Sequence, residues 1–218
     1  MSFEVHTLLS FCILFPALAG LIRFAKISPV FHPFIYCIWI GVFNECLSIL
    51  IIKSGHSNAV NFNIYMLVES FFFLWQFKNW KFFENHKHSF SILLGVICFA
   101  WLLETVIIFK VTSFSSYFLI TYSCMLSLMS INLLSRLILT ERGSLLKNPV
   151  FIICIAFIIY YTFSVLSEAF WVYGLNESKD FRLNVSNISV FTNLLANLLY
   201  TFAIIWMPNK QRFSLPSL

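Results

Sequence analysis

Residues 149–173 read PVFIICIAFIIYYTFSVLSEAFWVY, a mostly apolar run that contains one charged residue, Glu168. An α-helix rises about 1.5 Å per residue, so about 20 such residues cross the ~30 Å hydrocarbon core of a bilayer. The whole chain shares this character, since 60% of its 218 residues are hydrophobic and 11% are charged. So few polar side chains do not cover a soluble globule of this size, and the sequence predicts an integral membrane protein.

Apolar runs of similar length recur along the chain, each bounded by charged residues or by Pro and Gly. They predict seven transmembrane helices over residues 5–24, 33–52, 61–78, 91–109, 117–139, 149–173 and 186–207. The links between them are short, whereas a separate soluble domain needs on the order of 50 residues. We therefore expect an all-α fold, a single seven-helix transmembrane domain over residues 1–218.

The positions of Lys and Arg predict the orientation, because positively charged loops stay on the cytoplasmic side. Ten of the 14 Lys and Arg residues lie in or beside the links after predicted helices 1, 3 and 5 and in the C-terminal tail. This bias predicts an outside N-terminus, a cytoplasmic C-terminus and a location in a plasma membrane, which is the inner membrane in a bacterium. Membrane topology and lipid headgroups explain the net charge of +5, so we expect membrane lipids and no nucleic acid as partners.

Four glutamates lie inside predicted helices, in the half of each helix that this orientation turns outward. They are Glu45, Glu69, Glu104 and Glu168, on predicted helices 2, 3, 4 and 6. A charge in hydrocarbon costs on the order of 3 kcal/mol, so such residues usually face the interior of a bundle. No Lys, Arg or His occurs at a similar depth in the sequence. The glutamates are therefore candidate sites for a proton, a cation or a small ligand.

Further polar residues share the inward helix faces, because residues three or four apart lie on one side of a helix. Those that join the glutamates as candidates are Tyr65, Tyr161, Asn193 and Asn197. Together they predict a polar chamber that opens outward. Its tyrosines offer cation–π contacts to an organic cation, and its oxygens suit a hard metal ion, so the question of a metal stays open.

A purely structural role also stays open for several of these residues. Glu104 and Glu168 lie near enough to a helix end to reach water or to pair with a loop lysine. Asn193 and Asn197 have the spacing of interhelical hydrogen-bonding pairs. No cofactor is expected, since no lysine lies within a predicted helix to form a retinal-type Schiff base, and phosphate-cradling and nucleophile-elbow motifs are absent from the sequence.

The order of several short motifs carries a family resemblance. A glutamate in predicted helix 2 is followed by N-x-Y-x3-E at residues 63–69, by K-N-P at 147–149 and by N-x3-N-x2-Y at 193–200. This order resembles an uncharacterised family of small bacterial seven-transmembrane-helix proteins of a type associated with sensor kinases. The resemblance implies a signalling role with a cytoplasmic or membrane partner protein, but no known chemistry. The residues it emphasises are Glu45, Glu69, Tyr160 or Tyr161, Asn193, Asn197 and Tyr200.

Three functions follow from the residues and the resemblance. The leading one is a sensor or receptor-like module whose outward chamber takes a proton, cation or small ligand and passes a helix rearrangement to a partner. The second is a small proton- or cation-coupled transporter that uses Glu45 and Glu69. The third is an intramembrane lipid-modifying enzyme with paired carboxylates, although enzymatic activity is the least expected of the three.

Overall fold

The structure, a computed structural model, describes residues 9–84, 88–109, 111–140, 144–174 and 178–210. Within these ranges the regular structure is helical and no strand forms, which confirms the predicted all-α class. The long helices are α1 (Phe11–Arg23), α2 (Pro29–Lys53), α3 (Ala59–Asn79), α4 (Ser89–Ile108), α5 (Ser116–Thr140), α6 (Pro149–Tyr173) and α7 (Lys179–Trp206).

The helix boundaries differ from the predicted ones mainly at the two ends of the chain. The first residues of predicted helix 5–24 lie outside the described residues. Helix α7 begins seven residues before the predicted start, at Lys179 instead of 186. The segment before 186 is rich in Asn, Ser and charge and reads as a loop, but the hydroxyl of Ser178 accepts a hydrogen bond from the Phe181 N–H at 3.3 Å and caps the helix there.

Helices that follow one another in the chain run antiparallel, so all seven share two ends. The Lys53 end, as we call it, carries the α2–α3, α4–α5 and α6–α7 links. The opposite Arg23 end carries the α1–α2, α3–α4 and α5–α6 links and the segment after α7. Helices α5, α6 and α7 pack against their sequence neighbours, and α1 packs against α7, which brings the first and last helices together.

The outer surface of the bundle is apolar, as a lipid-facing surface must be. Large hydrophobic side chains are exposed along several helices, among them Ile22, Ile107 and Leu139, the last at 86%. Within the described ranges, five helices are long and apolar enough to cross a membrane: α2, α4, α5, α6 and the 183–206 part of α7. Helix α1 is shorter over its described residues, and α3 is less apolar because it carries inward-facing polar residues.

A cluster of aromatic side chains fills the bundle toward the Arg23 end. It consists of Phe34, Phe73, Phe77, Phe157 and Tyr200, and we call it the aromatic layer. Its ring centroids lie 4.6 Å apart for Phe73 and Phe157 and 5.2 Å apart for Phe34 and Tyr200. Because these side chains come from α2, α3, α6 and α7, the layer joins four helices and separates the middle of the bundle from the Arg23 end.

At the Arg23 end, two contacts join the end of α1 and the α1–α2 link to the end of α7 and the segment that follows it. The Arg23 guanidinium donates hydrogen bonds to carbonyl oxygens at the end of α7, including those of Ile204 at 2.8 Å and Met207 at 3.2 Å. The Ile204 carbonyl also accepts from the Met207 N–H at 3.3 Å, and the Met207 carbonyl follows the last helical residue, so the Arg23 cation adds hydrogen bonds at the helix C-terminus, where cations are favourable. Beside them Ile27 and Asn209 form an antiparallel bridge between the α1–α2 link and the segment after α7.

Two buried amides of α3 hold neighbouring segments in place. Gln76 accepts from the Phe34 N–H at 3.0 Å and donates to the Val30 carbonyl at 2.9 Å, which caps the start of α2. Asn63 donates to the Ser113 carbonyl at 2.7 Å and accepts from the Ser115 N–H at 3.1 Å, which shapes the α4–α5 link. Both side chains are fully buried, so their hydrogen bonds satisfy polar groups that otherwise destabilise the interior.

Candidate functional site

A cavity of about 660 Å³ occupies the middle of the bundle on the Lys53 side of the aromatic layer. It extends from Ile52 and Asn58 at the Lys53 end down to Phe34 and Tyr200. Its described wall residues come from α2, α3, α5, α6, α7 and the start of α1, and none comes from α4. Its volume lies within the range of small-molecule sites, roughly 300–1,000 Å³.

Glu69 projects into this cavity from α3 and is surrounded by tyrosine hydroxyls. One carboxylate oxygen accepts from the Tyr65 hydroxyl at 3.0 Å, and the other accepts from the Tyr122 hydroxyl at 3.3 Å. The Tyr161 hydroxyl lies within hydrogen-bonding reach of the same carboxylate. Donors from α3, α5 and α6 therefore converge on one acidic group. This tyrosine cage, Tyr65, Tyr122 and Tyr161, orients the carboxylate of Glu69.

Two of the cage residues are expected from the sequence and one is not. Tyr65 lies one turn before Glu69, so both residues project from the same face of α3. Tyr122 is not among the predicted site residues, because predicted helix 5 contains no carboxylate that would mark its inward face. The available signal was its place in the buried stripe Phe118, Tyr122, Leu126, Met129 and Leu133, whose steps of three and four mark the inner face of α5.

A glycine leaves room for the cage on the neighbouring helix. Gly41 lies on α2 opposite Tyr65, and a Cβ atom built on it would lie 3.2 Å from the Tyr65 hydroxyl and 2.6 Å from the Cδ1 of Ile13. Both distances are shorter than ordinary van der Waals contact, so a larger residue would displace these side chains. The lack of a side chain at position 41 allows Tyr65 to approach α2 while it donates to Glu69.

Glu45 is the second carboxylate of the cavity. It lies on α2 one turn beyond Gly41 toward the Lys53 end, and its side chain is partly buried. It hydrogen-bonds with the hydroxyl of Ser10, which precedes α1. The structure thus brings Glu45 and Glu69, two of the four predicted glutamates, to the same cavity.

Asn193 and Asn197 also line the cavity, and they join α7 to α1. The Asn197 amide donates to the side-chain oxygen of Asn193 at 2.9 Å and to the Cys12 sulfur at 3.3 Å. Cys12 is buried and reduced. The two asparagines therefore form the interhelical contact that their spacing indicated, while part of their surface still faces the cavity.

Amide and hydroxyl groups surround the cavity at its Lys53 end. The Asn61 amide donates to the side-chain oxygens of Asn44 at 2.9 Å, Ser48 at 3.0 Å and Asn58 at 3.1 Å. Asn58 also donates to Ser48 at 3.0 Å. Asn44, Ser48 and Asn58 line the cavity, so its rim is polar and uncharged whereas its floor is aromatic.

Glu104 and Glu168 lie elsewhere, where α4, α5 and α6 meet, and neither lines the cavity. Glu104 is buried, and its carboxylate accepts from the backbone N–H groups of Tyr117, at 3.0 Å, and Phe118. These groups belong to the first turn of α5, so Glu104 caps that helix. Glu168 hydrogen-bonds with the hydroxyl of Ser116 in the same turn. The structure thus separates the four predicted glutamates into two pairs.

The charge balance of the two pairs differs. None of the described residues that line the cavity is Lys, Arg or His, so Glu45 and Glu69 face it without a basic partner. Among the described side chains, the one ion pair is exposed and joins the Lys81 Nζ to a Glu84 carboxylate oxygen at 3.5 Å. The described residues also contain no group of three or more His, Cys, Asp or Glu side chains that would hold a metal ion.

Aromatic rings form much of the remaining wall. Tyr160 lines the cavity together with Glu45 and Glu69, and its ring lies 5.0 Å from that of Tyr161. Phe62 and Phe73 line the same space. The cavity therefore combines two carboxylates with several aromatic faces, a combination that attracts small cations through both charge and cation–π contacts.

No family model, curated protein or solved structure matches this chain.

Proposed function

We propose that this chain is a receptor-like membrane module that binds a small cation in its central cavity. The observation that carries the proposal is the charge imbalance: two carboxylates face a cavity whose described walls contain no basic side chain. Tyrosine hydroxyls stabilise the carboxylate of Glu69 but bring no positive charge to balance it. A cation from outside the protein supplies that charge.

The proposal includes a seven-helix arrangement in the membrane. Helix α3 packs against α2 and α4 and contacts α5 and α6 through Glu69 and Phe73, and its polar residues face protein and not lipid. Helix α1 packs along α7. With the N-terminus outside and the C-terminus in the cytoplasm, as the Lys and Arg bias favours, the cavity lies in the outer half of a bacterial inner membrane.

The same orientation favours a receptor over a passive pore. The aromatic layer closes the cavity floor, so a ligand that enters from the outer side meets a wall of rings from four helices. Binding at Glu69 engages α3, α5 and α6 at once through the tyrosine cage. A cation that changes these contacts would shift the helices relative to one another, and the family resemblance implies a kinase-type partner on the cytoplasmic side.

Ligand-induced stabilisation of the purified protein in lipid nanodiscs tests the cation site. We expect potassium, ammonium or n-alkylammonium ions to raise the melting temperature, because a ligand at 100 times its Kd stabilises the folded state by about 2.7 kcal/mol. The Glu69→Gln variant should lose this response. The matched control is Glu84→Gln, which removes the same charge from an exposed side chain. An unchanged response in Glu69→Gln would refute the proposed site.

A cation-coupled transporter is the second candidate, because an outward-facing state of such a protein would contain the same half-closed cavity. Flux into proteoliposomes distinguishes the two. Uptake that is driven by a cation or pH gradient and abolished by Glu69→Gln would identify a transporter. Binding without flux would identify a receptor.

A further inference from the structure

A groove of about 400 Å³ opens on the surface of the Arg23 end, where the α5–α6 link, the starts of α2 and α6 and the segment after α7 meet. Lys147, Asn148 and Trp206 line it, and none of its described lining residues is Asp or Glu. We propose that this groove binds the phosphate of an anionic phospholipid whose acyl chains lie along the outer face of α7.

Lys147 supplies the positive charge of the groove. It ends a short 3₁₀ turn in which its backbone N–H donates to the Ser144 carbonyl at 3.1 Å. The next residue, Asn148, caps α6, because its side-chain oxygen accepts from the Val150 N–H at 2.9 Å. The start of α6 is therefore capped within the chain, and the lysine ammonium is the group that remains to attract an anion.

Trp206 fixes the level of the groove in the bilayer. It is the last residue of α7, its side chain is 45% exposed, and the Lys147 Nζ lies 5.3 Å from the centroid of its ring. Exposed Trp side chains at the ends of membrane helices lie at the headgroup level, and lysines there extend their ammonium groups toward the lipid headgroups. The phosphate of a phospholipid lies at this same level.

An apolar stripe on α7 leads from the groove into the lipid-facing surface. Its members follow one another at steps of three and four residues, so they share the face of Trp206. They are Phe191, Leu195, Leu198 and Phe202, all of which are exposed. Acyl chains attached to a phosphate in the groove would cover this stripe, whereas a soluble anion would gain nothing from it.

The charge around the groove favours an anionic lipid over a zwitterionic one. Among the described side chains Lys147 has no acidic partner, since the one ion pair joins Lys81 to Glu84. Glu84 is also the one described acidic residue at the Arg23 end, where the described basic residues are Arg23, Lys26, Lys78, Lys81, Arg136, Lys147 and Lys210. The positive field draws anionic lipid to this end, and Lys147 gives one lipid molecule a defined position.

Native mass spectrometry of the purified full chain in a neutral detergent tests the proposal. The probes are phosphatidylglycerol and phosphatidylcholine with identical acyl chains, titrated separately. We expect wild-type protein to bind phosphatidylglycerol more tightly, and Lys147→Gln to lower that affinity about fivefold without changing phosphatidylcholine binding. Lys147→Arg, which keeps the charge, should retain the affinity. The matched control is Lys78→Gln, because Lys78 also lies over an aromatic ring, 4.5 Å from the Phe90 centroid, but outside the groove.

Several results would overturn the lipid site. Equal binding of the two lipids, or wild-type phosphatidylglycerol affinity in Lys147→Gln, would show that the groove does not select an anionic headgroup. An equal loss in Lys78→Gln would show a diffuse charge effect. Glycerol phosphate that displaces the lipid at equal concentration would identify a site for free anions, and an acidic peptide that binds in its place through Lys147 would identify a protein-docking site. Neither lysine lines the central cavity, so each of these results leaves the proposed cation site standing.

Discussion

Glu104 provides a direct test of whether an intramembrane glutamate binds a ligand or stabilises the fold. The Glu104→Gln substitution keeps the shape of the side chain but replaces one carboxylate oxygen by an NH2 group. That group cannot accept the hydrogen bond from the N–H of either Tyr117 or Phe118, so one of the two capping bonds is lost. We therefore expect a less stable protein whose proposed cation site is intact.

The size of the effect follows from burial and charge. Glu104 is 4% exposed, and a hydrogen bond to a charged group contributes about 1.5–3 kcal/mol to stability. Glu104→Gln loses one such bond and also the negative charge that is favourable at the start of α5. We therefore expect a destabilisation of about 2–3 kcal/mol. For a chain of this size each kcal/mol shifts the melting temperature by about 2–4 °C, so the expected decrease is about 4–12 °C.

Thermal unfolding in nanodiscs measures this decrease, and n-alkylamine binding measured on the same samples reports on the cavity. Glu84→Gln is again the control, because that side chain is 60% exposed and its ion pair with Lys81 contributes little. A Glu104→Gln protein with a wild-type melting temperature and weakened amine binding would refute the assignment of Glu104 as a helix cap.

Two further substitutions test the local geometry. Gly41→Ala should weaken n-alkylamine binding about tenfold, because the added methyl group displaces the Tyr65 hydroxyl and such overpacking costs about 1–3 kcal/mol. The control is Gly95→Ala, which should leave binding unchanged because a Cβ atom at position 95 meets no atom within 4 Å. Lys81 follows α3 with a φ of 60°, a backbone conformation that costs free energy for every residue except glycine. Lys81→Gly should therefore raise the free energy of unfolding by about 0.5–1 kcal/mol, and a decrease in thermal unfolding experiments would contradict this reasoning.

Helical periodicity was enough to predict the inner face of α3. Tyr65 and Glu69 are one turn apart, and the structure connects them by a hydrogen bond of 3.0 Å. Gln76 lies on the same stripe, yet it is buried against the start of α2 on the Arg23 side and not in the cavity. Periodicity identifies the side of a helix that faces inward, but it does not tell whether protein or an open space lies there.

The sequence could not separate the four glutamates, because depth in a helix says nothing about which helices surround the cavity. Helix α4 contributes no described wall residue, so Glu104 lies outside the cavity at a depth similar to that of Glu69. The last turn of α4, Leu103–Ile108, also winds as a π-helix, which changes the direction of its side chains. Such a change in winding has no signature in an apolar run.

Glu104 and Glu69 show why hydrogen bonds alone do not identify a ligand site. Both carboxylates accept at least two hydrogen bonds. The donors of Glu104 are backbone N–H groups at the start of a helix, where aligned peptide dipoles act like about half a positive charge. The donors of Glu69 are hydroxyl groups, which orient the acid but carry no net charge. Glu69 therefore has neither a basic side chain nor a helix N-terminus beside it among the described residues, and for this reason we place the proposed cation at Glu69 and not at Glu104.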